Sequence, residues 1–287
     1  MSRRKNTQLR RKKVLINRAI IAVLVLVAAF IIICISTAKD DKETEPKTKV
    51  TAEKEKSKEK DKKKKQDPSL SEEIEEVRAE ATKQGYPAEI IELLDRNPET
   101  VDYVANYGEK KDDAPAEDIG ADFVAGNIPT LFQWDERWGY TMYGPSPMGI
   151  TGCGPTCLSM VLIGVTGDPA ITPDKVAAYS TQQGFITEDS GSLWQLMSDG
   201  ARNWGVQVSE AYPGDEEYIK NTLQSGAPII CSMQKGTFTD VGHFIVLTSY
   251  EEGYVTVHDP FRKSNSHSNW KYADIMPEIS ACWSYSK

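Results

Sequence analysis

The stretch Gly152-Cys153-Gly154-Pro155-Thr156-Cys157-Leu158-Ser159-Met160-Val161-Leu162-Ile163 decides the fold. It reads as a cysteine at the first turn of a buried helix. Glycine on each side permits close approach of another backbone or a bound molecule to the sulfur. Proline costs little in a first turn, where its missing N–H would be unpaired in any case. The positive end of the helix dipole favours a thiolate there. By themselves these residues read equally well as a small cysteine buried at a tight turn. Three residues outside the stretch change the weighing: Gln133 upstream, and His243 and Asp259 downstream.

His243 opens the apolar run Gly242-His243-Phe244-Ile245-Val246-Leu247-Thr248-Ser249-Tyr250, and Tyr254-Val255-Thr256-Val257-His258 alternates as a half-buried strand. Between them Glu251-Glu252-Gly253 signals a turn. With Glu251 and Glu252 as the turn residues, Phe244 faces Asp259 and His243 faces Pro260. His243 and Asp259 then meet at the open end of one hairpin. A cysteine nucleophile needs a base in reach, and the imidazole needs a third group to fix its tautomer. Asp259 suits that role. The plain alternatives are a strand-end histidine satisfied by backbone and an aspartate bonding its own turn. Strand alternation puts His258 on the opposite face from Asp259, and His267 reads as a loop residue. Gln133, in Phe132-Gln133-Trp134-Asp135-Glu136-Arg137-Trp138, can offer an amide N–H which, with the backbone N–H of Cys153, would form an oxyanion hole. Trp134 and Trp138 read as structural anchors.

Gln133-Trp134-Asp135 with Trp138, then Gly152-Cys153-Gly154-Pro155-Thr156-Cys157-Leu158 with Met160-Val161, then Gly242-His243-Phe244-Ile245-Val246-Leu247, then Asp259-Pro260, resemble the C39-like cysteine peptidases of the papain-like superfamily. The resemblance covers about residues 128–286. It implies an α+β, papain-like fold with helices packed on an antiparallel sheet. It further implies Cys153 as nucleophile, His243 as general base and acid, Asp259 as its orienter and Gln133 as oxyanion donor. Tyr86-Pro87, Leu94, Asn97-Pro98-Glu99-Thr100, Val104 and Tyr107 look like a helical preamble found in membrane-anchored members from Gram-positive bacteria. Bacteriocin-processing members are fused to a transporter, which this chain lacks, so cleavage of double-glycine leaders does not carry over. Cys157 lies one turn after Cys153 without flanking glycines and reads as helix packing.

The remaining organisation follows from composition. Residues 1–18 carry eight Lys or Arg and no acid, and residues 19–38 are almost wholly apolar. Twenty such residues, at about 1.5 Å each, span a bilayer core, and the basic flank places the N-terminus in the cytoplasm. The run exceeds a signal-peptide core, so a retained transmembrane helix is expected over a cleaved leader. Residues 39–69 form a Lys/Glu/Asp stalk with too few apolar residues to fold. Residues 70–107 read as a short helical region, 108–127 as a linker, and 128–287 as the main domain. Within that domain helices are expected after Cys153, at 172–181, 192–203 and 215–224. Strands are expected near 206–209, 228–233, 243–250, 254–258 and the C-terminus.

The whole chain has 34 basic and 42 acidic residues, and residues 70–287 carry a net charge of −19. Such a surface repels nucleic acid and anionic membrane faces, and it would tolerate or attract cationic peptides or serve solubility alone; the expected partner, a peptide or cell-wall peptide, is what the resemblance implies. No Cys-x-x-Cys or His-x-x-x-His spacing suggests zinc, and no cofactor is implied. With Cys153 free, Cys157, Cys231 and Cys282 allow at most one disulfide. The expectation is therefore a cell-surface, single-pass thiol hydrolase acting on peptide or isopeptide bonds. Hydrolysis of peptidoglycan stem peptides and a catalytically silent binding module are the alternatives.

Overall fold

The computed structural model describes residues 68–188 and 191–287. The basic segment 1–18, the apolar segment 19–38 and nearly all of the stalk 39–69 lie outside the described residues. Among those described, no helix is long and apolar enough to cross a membrane.

The chain begins with helix α1 (Pro68–Lys83). Two single turns follow, Ala88–Ile91 and Leu93–Arg96, and then a 3₁₀ turn at Pro98–Thr100 leads into α2 (Val101–Lys110). Pro68 takes the first helical position, where no N–H is required. Asn97 caps the 3₁₀ turn, its side chain accepting from Glu99 N–H. These helices bury Ile90, Leu93, Leu94, Tyr103 and Val104 together with Trp134 and Tyr140, and Phe132, Ile150 and Phe261 pack on the same cluster. The helical region thus shares a core with the residues around the candidate site. Glu136 reinforces the join by binding Asn106 and Lys110 of α2.

The expected linker is also packed down. Ile119 is fully buried. Arg137 donates to the Ile119 carbonyl and pairs with Asp122 and Asp135. A two-stranded ribbon (β1, Met142–Tyr143; β2, Ser146–Pro147) and a turn at Met148–Thr151 lead to α3 (Cys153–Thr166). Every residue of α3 from Gly154 to Ile163 is buried, as an all-round apolar helix requires. Gly167, at φ 80°, closes it in the left-handed conformation, its N–H bonded to the Ile163 carbonyl. Helix α4 (Pro173–Gln182) packs beside it. The helix expected at 192–203 is instead two 3₁₀ turns, Trp194–Leu196 and Ala201–Trp204. Gly200 separates them, and a side chain there would collide with the Leu196 backbone.

The remaining chain builds an antiparallel sheet: β3 (Gln207–Ala211), β4 (Ile229–Gln234), β5 (Gly242–Glu251), β6 (Tyr254–His258), β7 (Asn269–Lys271) and β8 (Ile279–Ser286), in the order β3-β8-β4-β5-β6-β7. Helix α5 (Glu216–Gln224) starts at Asp215, whose carboxylate accepts from Tyr218 N–H. Side-chain alternation gives the sheet two apolar faces. Ile230, Phe244, Val246, Trp283 and Tyr285 pack on α3, while Ile229, Ile245, Leu247, Val255 and Val257 pack with Ile219 and Leu223 of α5. This is the α+β arrangement expected from the sequence.

The β5–β6 register differs from the sequence expectation. Glu251 pairs with Tyr254, so the turn residues are Glu252 and Gly253, and a bulge between Leu247 and Ser249 shifts the ladder to Val246 opposite His258. The tight hairpin turn needs positive φ at both central residues. Glu252 at 49° and Gly253 at 85° provide it, whereas Glu251-Glu252 would place two acidic side chains in that strained region. Cys153, Cys157, Cys231 and Cys282 are all free thiols, with Cys231 and Cys282 directly opposed on β4 and β8.

Candidate active site

Cys153 is the first residue of α3 and is half-buried. Its flanking glycines serve packing more than open approach. A side chain at Gly152 would meet the Met148 carbonyl at 2.6 Å, and one at Gly154 would collide with Ser192. Ser192 is held by Tyr143, whose hydroxyl also meets Ser180. The turn carrying the thiol is therefore wedged between fixed neighbours. Cys157, one turn along, is fully buried, and burial raises its thiol well above the ordinary value. That makes it inert, in line with the packing role expected of it.

His243 stands at the start of β5, opposite Met233 of β4, and is 8% exposed. Its Nε2 lies 2.8 Å from Asp259 Oδ1, which leaves Nδ1 as the nitrogen open to a second partner. Asp259 follows β6 directly, so the two residues meet even though the expected cross-strand pairing does not form. Burial opposes a charged imidazole, but the Asp259 carboxylate, its hydrogen bond and the neighbouring Cys153 outweigh it. The His243 pKa is pushed up to about 10. Thiol and imidazole thus lie close enough for the hydrogen bond and charge of Cys153 to add to the upward shift.

Asp259 is fully buried. Burial alone would raise its pKa, yet His243, Asn265 Nδ2 and the Phe261 N–H hold it below the ordinary value. Oδ1 accepts from the Phe261 and Arg262 amides as well as from the imidazole, and Oδ2 accepts from Asn265 at 2.6 Å. A carboxylate supplied with that many donors stays ionised in a dry site.

Gln133 is 2% exposed. Its backbone N–H bonds the Pro260 carbonyl, tying it to the residue after Asp259. Nε2 donates one hydrogen to the Gly149 carbonyl at 3.0 Å, leaving its second hydrogen, and Oε1 is buried without a partner. Gln133, Cys153 and His243 line one cavity of about 690 Å³, together with Ile150, Phe238 and Phe261. The structure thus brings the four expected residues together. His258 lies apart, bonding the Pro129 carbonyl, and burial lowers its pKa. His267 ends the helical turn Lys263–Ser266. Among the described residues no group of three or more His, Cys, Asp or Glu is placed to hold a metal ion.

Several contributors escaped the sequence reading. Asp95 and Arg96, from the N-terminal helical region, line the same cavity, as does Arg262. Asn97 Nδ2 and Trp134 Nε1 both donate to the Phe261 carbonyl, and Arg262 donates to the Arg96 carbonyl. Glu99 accepts from the Lys263 and Ser264 amides. The helical region therefore forms one wall of the site. Asn97-Pro98 reads locally as a helix start, and nothing in its neighbourhood reveals a partner 164 residues away.

A cysteine at a helix start, an imidazole and a buried carboxylate are thus grouped where the antiparallel sheet meets its central helix. Residues 126–287, over half of the chain, match the model of the Peptidase_C39 like family, and the chain belongs to that family. Among solved structures, a C39-like peptidase from Bacillus anthracis is 16% identical with a TM-score of 0.39, the match covering 56% of this chain and 96% of that one. The peptidase domain of Streptococcus ComA, a bifunctional ABC transporter of a quorum-sensing pathway, is 16% identical with a TM-score of 0.38, covering 48% and 93%. A search of curated proteins returned no match.

Proposed function

We propose that the chain is a cysteine peptidase that hydrolyses peptide bonds with Cys153 as nucleophile, His243 as base and acid, Asp259 as orienter and Gln133 as oxyanion donor. The observation that carries this reading is the imidazole held between a buried, fully hydrogen-bonded carboxylate and the half-buried cysteine of a helix start. An imidazolium kept charged at neutral pH beside a thiol is the arrangement in which thiolate nucleophiles work. Attack of the sulfur on the carbonyl carbon forms the C–S bond. The oxyanion is received by the second Nε2 hydrogen of Gln133 and the first-turn N–H of Cys153, as helix starts leave such groups unused. Collapse breaks the C–N bond while His243 gives its proton to the departing amine. Water then attacks the thioester, His243 takes its proton, and the thiolate leaves.

The apolar segment 19–38 and its basic flank support a second part of the reading: a single-pass anchor with the catalytic domain at the cell surface. The test is incubation of the full chain with peptide libraries and with purified peptidoglycan, reading new amino termini by mass spectrometry. Cleavage that disappears in Cys153→Ala supports the peptidase. Products confined to muropeptides identify the cell-wall alternative. Equal products from both proteins refute the assignment.

A further inference from the structure

Residues 70–287 carry five arginines in a strongly acidic surface. Three are neutralised: Arg78 by Asp95 and Glu75, Arg137 by Asp122 and Asp135, and Arg202 by Asp199. The other two, Arg96 and Arg262, have no carboxylate partner among the described residues, although acids outnumber bases by more than two to one there. Both line the cavity that holds Cys153 and His243. Their guanidinium carbons stand 5.4 and 5.8 Å from the centre of the Phe261 ring, and that ring meets the His243 imidazole edge-on at 6.5 Å. Lys263 extends the positive strip, its ammonium 4.6 Å from the Trp134 ring. Two acids share the cavity. Asp95 is occupied by both terminal nitrogens of Arg78, and Asp240 belongs to a separate segment, the loop before β5.

His243 must protonate the departing amine, so the part of the substrate that leaves with that amine lies on the imidazole side, over Phe261. Resting on the peptidase reading above, we propose that this side is a carboxylate subsite. Arg96 and Arg262 bind an anionic group carried by the leaving-side residue, and Phe261 forms its apolar floor. Arginine suits the task because its planar fork matches a carboxylate and stays charged at every working pH. A free C-terminal carboxylate and an acidic side chain present the same chemistry, and both reach such a fork. The segments are joined: Arg262 Nη2 donates to the Arg96 carbonyl, 166 residues apart in sequence, and both guanidinium groups approach the same Phe261 ring.

The test uses the full chain in neutral detergent and reads alkylation of Cys153 by mass spectrometry, with iodoacetate as anionic probe and iodoacetamide as neutral reference. In Arg96→Gln, where the native guanidinium makes no hydrogen bond among the described residues, and in Arg96→Gln/Arg262→Gln, the iodoacetate-to-iodoacetamide rate ratio should fall, by about tenfold in the double variant. Lysine at both positions should restore most of it, and 1 M salt should narrow the difference between wild type and variant. An unchanged ratio overturns the subsite while leaving the peptidase intact. Failure of both reagents to label Cys153 speaks against the peptidase instead. The subsite is then judged by equilibrium binding to Cys153→Ala of the tripeptides Ala-Ala-Ala and Ala-Ala-Asp, each free or amidated. Tighter binding of free Ala-Ala-Ala assigns the terminal carboxylate, and tighter binding of amidated Ala-Ala-Asp assigns the side chain. Equal binding of all four, or a preference that survives the double variant, refutes the proposal.

Discussion

Replacing Asp259 by Asn removes one charge from a site with almost no solvent. Asn Oδ1 still accepts from the Phe261 and Arg262 amides, but its NH₂ faces the Asn265 donor, so Asn265 must turn its amide over. The larger loss is the counter-charge of His243. Raising an imidazole from 6.5 to about 10 corresponds to a preference for the charged form of about 5 kcal/mol. Breaking a buried ion pair from one side costs about 3–5 kcal/mol. The two figures agree, and they reach only the lower end of the stability of a typical domain, about 5–15 kcal/mol, so a domain of middling stability should still fold with the substitution. The sign with pH is definite. A histidine whose pKa rises on folding stabilises fully below 6.5 and loses that contribution as pH rises toward 10. Asp259, held below 3.8, contributes above that value and loses its contribution as pH falls through the folded pKa. Wild-type stability should therefore decline between about pH 6.5 and 10, and Asp259→Asn should flatten that decline. Urea unfolding across pH measures this, and ¹⁵N shifts of the His243 ring follow its titration. In Asp259→Asn the imidazole should titrate well below its wild-type value, because only Cys153 is left to oppose burial, and peptide turnover at pH 7 should fall about 10²- to 10⁴-fold. A His243 that still titrates near 10 in the variant refutes the electrostatic account of the site.

The other expectations are narrower. Iodoacetamide at neutral pH should modify Cys153 and spare the buried Cys157 in the native protein, and His243→Ala should slow the Cys153 reaction; peptide mapping of both sites decides. Gly154→Ala should push Ser192, whose Cβ lies 2.7 Å from the added carbon, away from Tyr143. Overpacking of this kind costs about 1–3 kcal/mol, and a melting temperature equal to wild type would contradict it. Asn97→Ala removes a cap worth about 1 kcal/mol and one of two donors to the Phe261 carbonyl. KM should rise with little change in kcat if Asn97 acts by holding Phe261 in the cleft wall, and a kcat loss alone would contradict that role.

The fold was legible where the pattern is local. The apolar run 158–163 needs a buried helix, and the alternation in 243–250 and 254–258 needs strands. Asp215 and Asn97 announced helix starts. The site was legible as residue types in order, because a thiol, an imidazole and a carboxylate carry their chemistry in their identity. What stayed hidden depends on long-range partners. Glu99 looks like one acid among many, yet it holds the Lys263 and Ser264 amides. The hairpin turn was misplaced by one residue because two glutamates looked like turn formers, while the backbone demanded glycine at the second central position. The segment 192–203 has helical composition, but Gly200 and the crowding against Leu196 leave only tight turns.

The Phe261 carbonyl is the meeting point of Asn97, 164 residues earlier, and Trp134, 127 residues earlier, while β8, the last strand, lies between β3 and β4 in the sheet. Contacts that span such distances form late and slowly. During synthesis the cysteine-bearing helix emerges long before His243, and the centre of the sheet stays open until β8 has emerged. The growing chain therefore holds Cys153 apart from a settled His243, and the proposed pairing of the two waits on β8.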